Sequence, residues 1–368
     1  MINLMFAVCL VAICLVSVQS GDIDDLIKEV FDSSPSPVTP SSQNKVHDRN
    51  CTCVPYYLCS HSTDALNDEG IIDIRNVEFS CPSYIEVCCE AQDLIKPKTK
   101  TGCGHRGGVG TRSTKDDKKA QFGEFPWMVA ILEKKNIDSQ ILNVYQCGGT
   151  LIHPEVVLTL ADCLDPKKTY RIRAGEWDTT TNQELFPHQD RELKSIVIHP
   201  NYKGNKLENN VALLFLESPV TFAENINVVC LPPKDQNSDN SKCVSTGWGK
   251  DAPGKKGKYQ VIMKKIDLPV VPLDSCNKKV QSLNVTKLDD SVICAGGNDG
   301  QYICKGDEGG PLVCPIDGKE ERYYQAGIAT VNSCDNKIPS VFVRLAGFRV
   351  WIDEQMKIKN LNIDSYQY

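Results

Sequence analysis

Beyond its first twenty residues the sequence has no apolar run long enough to cross a bilayer, so no membrane-spanning segment is expected in the body. Charge of one sign is also missing. Against 47 Asp and Glu stand 41 Lys and Arg, a net charge of −6, which argues against a nucleic-acid partner and says nothing about fold. Histidine is scarce, at six residues, and the paired cysteine spacings with nearby histidines that mark a zinc site are absent. Apolar residues are not scarce: at 41% hydrophobic and 24% charged the chain can bury a core, which excludes global disorder. What it has in abundance is cysteine, 18 in 368 residues.

Residues 1–20 hold the apolar run Leu4 to Val18 and end in Val18-Gln19-Ser20, which suits a signal peptidase. The run is short for a bilayer span and lacks a positive flank; a cleaved secretory signal is expected. Cys9 and Cys14 leave with it, and 16 cysteines remain, an even number that reads as a disulfide framework in a secreted, extracellular protein. Residues 21–50, with Ser33-Ser34-Pro35-Ser36-Pro37 and Pro40-Ser41-Ser42, read as an extended linker. Residues 51–90 carry Cys51, Cys53, Cys59, Cys81, Cys88 and Cys89. So short a segment cannot bury a self-sufficient core, so cross-links must hold it, and six cysteines allow fifteen pairings among which sequence does not choose. Residues 91–113, basic and glycine-rich, form a second linker in which Cys103 has no local partner.

From Gly123-Glu124-Phe125-Pro126-Trp127 onward, short β-rich runs alternate with turn signals: Val129–Leu132, Val156–Leu160, Val211–Leu216, Gln325–Val331 and Val341–Leu345. That pattern predicts an all-β barrel arrangement over residues 114–356. Phe348, Trp351, Ile352 and Met356 recur at helical spacing and predict a C-terminal helix, followed by a tail at 357–368.

The stretch Gly306-Asp307-Glu308-Gly309-Gly310-Pro311 resembles the active-site loop of chymotrypsin-like serine proteases, Gly-Asp-Ser-Gly-Gly-Pro, with Glu308 in place of the nucleophilic serine. A glutamate has no hydroxyl proton for a base to take, and it would repel a developing oxyanion. Thr159-Leu160-Ala161-Asp162-Cys163 is similar to Thr-Ala-Ala-His-Cys, and Asn210-Val211-Ala212-Leu213-Leu214 to Asp-Ile-Ala-Leu-Leu. Asp162 therefore stands for the base and Asn210 for the carboxylate that orients it. Three replacements on a legible frame imply a protein without catalysis. The resemblance implies a chymotrypsin-like double β-barrel throughout the body. It places Asp162 and Glu308 face to face, where two carboxylates would share a proton, recruit a cation or splay apart; the plainer reading is two solvated carboxylates over a filled cleft. Tyr302, Val331, Asn332 and Ser340 occupy the specificity-pocket positions, with side chains that narrow the slot. Gly306 and Gly309 retain the turn of an oxyanion-type loop. In this family a cut creates an apolar N-terminus whose amine pairs with the aspartate before the serine. That aspartate is Asp307, but the matching start is Thr114 within Arg112-Ser113-Thr114-Lys115, too polar to enter the body.

The six-cysteine block resembles an arthropod clip domain, which implies the pairs Cys51–Cys88, Cys53–Cys81 and Cys59–Cys89. Landmarks in the body imply Cys103–Cys230, Cys147–Cys163, Cys243–Cys314, Cys276–Cys294 and Cys304–Cys334, so that every mature cysteine is used. Cys53 to Cys59 and Ile72-Asp73-Ile74-Arg75 look like the clip domains of non-catalytic members of the family. Arg75 and Arg112 are candidate cleavage sites; an exposed linker arginine is otherwise merely solvated. Asn50 and Asn284 head glycosylation sequons, the second the better placed because Cys51 is expected in a bridge. The acidic segment holding Glu176, Asp178, Glu184 and Asp190 lies where some relatives bind calcium, although a solvated acidic loop is the expected reading. No other cofactor is called for. His153, His188 and His199 are read as ordinary surface or loop histidines.

Taken whole, the chain is similar to the clip-domain serine protease homologues, the non-catalytic group that includes phenoloxidase-activating factors and mosquito clip proteins. The resemblance implies a haemolymph cofactor in melanisation that is cut by an upstream trypsin-like protease and scaffolds prophenoloxidase, its activating clip protease, or both. Self-association after cleavage belongs to the same expectation. Two rival readings are a protein that binds microbial surfaces directly, and a hydrolase using the Asp162–Glu308 pair.

Overall fold

The computed structural model describes residues 52–55, 86–90, 93, 101–108, 118–137, 140–180, 184, 186–204, 207–281, 287–297, 302–319, 321–330, 334 and 338–368. The leader at 1–20, the linker at 21–50, Arg75, Arg112, Asn50, Asn284, Val331 and Asn332 lie outside the described residues. Strands β1 (Thr52–Pro55) and β2 (Glu86–Cys89) form an antiparallel pair with Cys53 opposite Cys88. Cys53, Cys88 and Cys89 are disulfide-bonded. Cys51, Cys59 and Cys81, one in each pair implied for this segment, lie outside the described residues.

Twelve further strands close into two barrels. The first comprises β3 (Met128–Ile137), β4 (Gln140–His153), β5 (Val156–Thr159), β6 (Tyr170–Ala174), β7 (Gln189–Ile198) and β8 (Ala212–Leu216). Its closed order is β3-β4-β5-β8-β7-β6. The second comprises β9 (Lys242–Gly247), β10 (Lys264–Val271), β11 (Val292–Ala295), β12 (Pro311–Pro315), β13 (Tyr323–Ala329) and β14 (Ser340–Arg344), in the order β10-β11-β14-β13-β12-β9. The apolar runs that predicted strands explain which segments lie innermost. Every residue of Ala212-Leu213-Leu214-Phe215-Leu216 is buried, as are Met128 through Leu132 and Val156 through Thr159. Strand β7 is charged and half-buried, and it pairs Asp190 and Glu192 opposite Arg173 and Arg171 of β6. One continuous apolar core runs through both barrels.

Helix α1 (Leu273–Gln281) closes a smaller cluster through Cys276 and Val280. Helix α2 (Arg349–Ile358) buries Ile352 and Met356 on the face that the spacing predicted, with Phe348 at its start. The segment beyond it, read from the sequence as a tail, packs on the body. Tyr366 is fully buried, its carbonyl accepts the Leu231 N–H at 2.9 Å, and its hydroxyl donates to Asp353 at 2.9 Å. Five disulfides join Cys103 to Cys230, Cys147 to Cys163, Cys243 to Cys314, Cys276 to Cys294 and Cys304 to Cys334. Among the described residues no helix is long and apolar enough to cross a membrane.

Candidate functional site

Three chain segments carry the replaced catalytic positions. Asp162 follows β5 and sits beside the Cys147–Cys163 bridge. Its backbone N–H donates to Asn210 Oδ1 at 3.0 Å, so Asn210, fully buried just ahead of β8, holds the segment through the amide rather than orienting a base. Asn209 before it adopts a left-handed φ of 52°, a conformation that asparagine tolerates better than most residues. The charge of Asp162 bears on Tyr202, whose hydroxyl pKa is raised by burial and then by that carboxylate.

Glu308 arrives from the opposite barrel on the loop between Cys304 and β12. Its carbonyl accepts the Gly148 N–H at 2.7 Å, which fastens the loop to β4 of the first barrel. Its side chain folds back on its own turn: the Gly306 N–H donates to Glu308 Oε2 at 2.5 Å. Burial raises the Glu308 pKa and Asp307 adds to the shift, while its own and the Gly306 backbone N–H groups and Lys305 pull it down; the net direction is upward. The Glu308 carboxylate is thus held by its own turn. Glu308 is not the solvated carboxylate that the plainer reading expected. The backbone donor that would receive an oxyanion is already engaged with a carboxylate.

Around this turn the pocket positions are partly accounted for. Ser340 is buried on β14, and its Oγ accepts the Ile303 N–H at 3.1 Å, so its side chain fastens the strand leading to Glu308. Tyr302 is half-buried beside it. Asp307 is almost fully buried, and Lys264 at the start of β10 lies 2.8 Å from its Oδ2. Tyr145 on β4 donates its hydroxyl to the Gly306 carbonyl at 2.9 Å. Sequence reasoning missed both residues. Neither Lys264, inside a run of ordinary strand residues, nor Tyr145 carries a motif that would single it out.

The acidic segment departs from its expected character. Glu176 is buried, not solvated, and lies 3.3 Å from Arg173, which is itself buried and forks onto Asp190 at 2.8 and 3.1 Å. His188, read as a surface or loop histidine, lies in a loop with its side chain buried and Nδ1 3.5 Å from Glu176. Burial and then Arg173 lower its pKa to about 4. Glu184 accepts the Trp177 and Asp178 N–H groups at 2.7 and 2.9 Å. Burial and the Glu176 charge push its carboxyl up to about 9, so it keeps its proton at neutral pH. One ligand atom each of Glu176, Glu184 and His188 lies within 4.8 Å of the others. Asp178, the third residue of the expected calcium set, instead turns its carboxylate to the N–H and hydroxyl of Thr180. Among the described residues Glu176, Glu184 and His188 are close enough to share a cation, and Arg173 already offsets part of their charge. The Arg-x-Arg of β6 facing the Asp-x-Glu of β7 was the available sequence signal for this pairing.

The sequence matches the trypsin family over residues 115–352 and the family described as serine protease clip domain PPAF-2 over residues 40–90. It is 42% identical to phenoloxidase-activating factor 2 of Galleria mellonella, over 74% of this chain and 95% of that protein. It is 34% identical to the inactive CLIP domain-containing serine protease A8 of Anopheles gambiae, over 82% and 87% of the two chains. A second protein of that species, the inactive CLIP domain-containing serine protease A28, is 31% identical over 84% and 90%. With both domains matched and the double barrel in place, the chain belongs to the trypsin family as a clip-domain serine protease homologue.

Proposed function

We propose that this chain is a secreted, catalytically inactive cofactor of the melanisation cascade that holds prophenoloxidase, its activating clip protease, or both. The observation that carries the reading is the Glu308 carboxylate turned onto the Gly306 N–H. The position of the nucleophile has no acyl-transfer hydroxyl, the oxyanion donor is engaged, and Asp162 and Asn210 stand where a base and its partner would be. A double barrel held by disulfides keeps its loop surface when catalysis is lost, and function can then pass to binding. The pathway is supported by the relatives' names, one a phenoloxidase-activating factor and two inactive proteases. The hydrolase reading is the weaker one, because the Glu308 carboxylate is turned onto the Gly306 N–H of its own turn. In the favoured reading residues 1–20 are removed on secretion into haemolymph, and an upstream trypsin-like protease cuts at Arg75 or Arg112.

The test combines the full chain, intact or nicked, with prophenoloxidase and its activating protease. Phenoloxidase activity should rise in its presence. The chain alone should hydrolyse no peptide or ester and take no label from serine-directed phosphonates, even as Glu308→Ser. Turnover by the wild-type chain refutes the proposal. Binding to peptidoglycan or glucan with no effect on phenoloxidase would replace it with a recognition role.

A further inference from the structure

Asp307 is 1% exposed, and both of its carboxylate oxygens are engaged. Oδ1 accepts the Gly249 N–H at 3.0 Å, and Oδ2 accepts the Cys304 N–H at 2.9 Å. The Lys264 ammonium completes the set at 2.8 Å from Oδ2 and also donates to the Lys250 carbonyl at 2.6 Å. The Lys264 side chain is 9% exposed, so this ion pair is shielded from solvent. An ionised carboxylate at such a depth is tolerated only with a paired charge and satisfied lone pairs, and these three donors supply both. Space is used up as well: a Cβ placed on Gly249 would lie 2.5 Å from the Asp307 carboxyl carbon.

The loop that carries Asp307 is fixed by more bonds of the same origin. Tyr145 holds the Gly306 carbonyl, and the Gly148 N–H holds the Glu308 carbonyl. The Gly309 N–H donates to the Ala329 carbonyl at 2.9 Å and the Gly310 N–H to the Asp307 carbonyl at 3.1 Å. Every one of these partners belongs to the interior of the chain, and none is a chain terminus.

We propose that Lys264 is a built-in cation at the site where a newly cut N-terminal amine would pair with Asp307, so that residues 304–310 are ordered before any cleavage. A cut in the linker then leaves the two barrels as they were. A terminus starting at Ser113-Thr114-Lys115 brings no apolar area to offset burial of its amine, and the charge it would meet is already neutralised. Regulation by cleavage must therefore act on the segments ahead of Cys103. The inference concerns the body alone and does not depend on which partner the protein binds.

Amide hydrogen exchange of residues 304–310 tests it, in the full disulfide-bonded chain before and after nicking by a trypsin-like protease. Wild-type exchange should agree within about twofold between the two forms. Lys264→Met, which keeps the aliphatic stem and removes the charge, should exchange at least about tenfold faster across this loop. The double variant Lys264→Met, Asp307→Asn should return toward wild type, because no unpaired charge is left buried. Slower exchange in the wild-type loop after nicking would overturn the proposal, since an arriving amine would then be doing the ordering. So would a Lys264→Met chain that exchanges like wild type. Should that variant fail to fold, the wild-type comparison decides alone.

Discussion

Replacing Gly309 with alanine probes whether the loop bearing Glu308 is wedged between the barrels as described. Gly309 has φ of +79°, where an L side chain costs about 1–2 kcal/mol in backbone strain. The added methyl carbon would also lie 2.2 Å from the Gly148 carbonyl oxygen and 2.6 Å from Thr159 Oγ1, which itself donates to that carbonyl. Relief requires the loop to move off β4, and overpacking of this kind costs about 1–3 kcal/mol more. The sum is about 2–5 kcal/mol, or a fall in melting temperature of about 5–15 °C for a body of this size. Gly318→Ala is the control. Gly318 has φ of +70° with nothing within 4 Å of an added Cβ, so it bears the strain without the clash and should lose only about 2–6 °C. Differential scanning calorimetry on both variants gives the two terms separately. Melting temperatures that agree within about 2 °C would refute the docking of the loop against the first barrel.

Three other outcomes follow from contacts already given. Burial and Asp307 raise the Glu308 carboxyl above its ordinary 4.5, so its contribution is fully present below that value and is lost as pH rises through the folded-state pKa. Glu308→Gln, whose amide oxygen still accepts the Gly306 N–H, should melt higher than wild type near pH 8 and equal to it near pH 4; a pH-independent difference would contradict this. Glu184, at about 9 against an ordinary 4.5, costs stability as pH rises between those values, so Glu184→Gln should stabilise the chain by about 1–3 kcal/mol near pH 8. Destabilisation of Glu184→Gln in calcium, with no gain in chelator, would show the residue to be a metal ligand instead. Finally, a chain nicked at Arg112 should migrate as one species until reduced, because Cys103–Cys230 joins the leader to the body; separation without reductant would count against that bridge as the tether.

The barrels were legible because their inner strands are nearly unbroken apolar runs, as in Ala212 to Leu216, and because the C-terminal helix repeats at 3.6 residues through Ile352 and Met356. Charged strands were not. β7 reads as a polar segment, and only its pairing with β6 shows that Asp190 and Glu192 are there to meet Arg173 and Arg171. The replaced catalytic positions could be read from flanking motifs, but the direction of the Glu308 side chain could not. The Glu308 carboxylate accepts one backbone N–H of its own turn, a contact no motif encodes. His188, read as an ordinary surface or loop histidine, lies in a loop but has its ring buried beside Glu176, a contact that no spacing around it signals. Lys264 was invisible for the same reason, being one lysine of several in its segment until the fold sets it against Asp307.

The Cys103–Cys230 bridge also sets a concentration. Thirteen residues separate Cys89, the last cysteine of the clip segment, from Cys103, and a chain of that length reaches at most about 50 Å whatever path it takes. One clip segment confined to a sphere of that radius is present at about 3 mM with respect to its own body. Clip supplied in trans at micromolar levels would therefore compete poorly for any surface the tethered copy can reach, whether or not the chain has been cut at Arg112. A partner that grips both parts gains the same advantage, since its second contact forms within one molecule. In a chain cut at Arg112, loss of the bridge by reduction or mutation would lower apparent affinity for such a partner by orders of magnitude while leaving each separate contact intact.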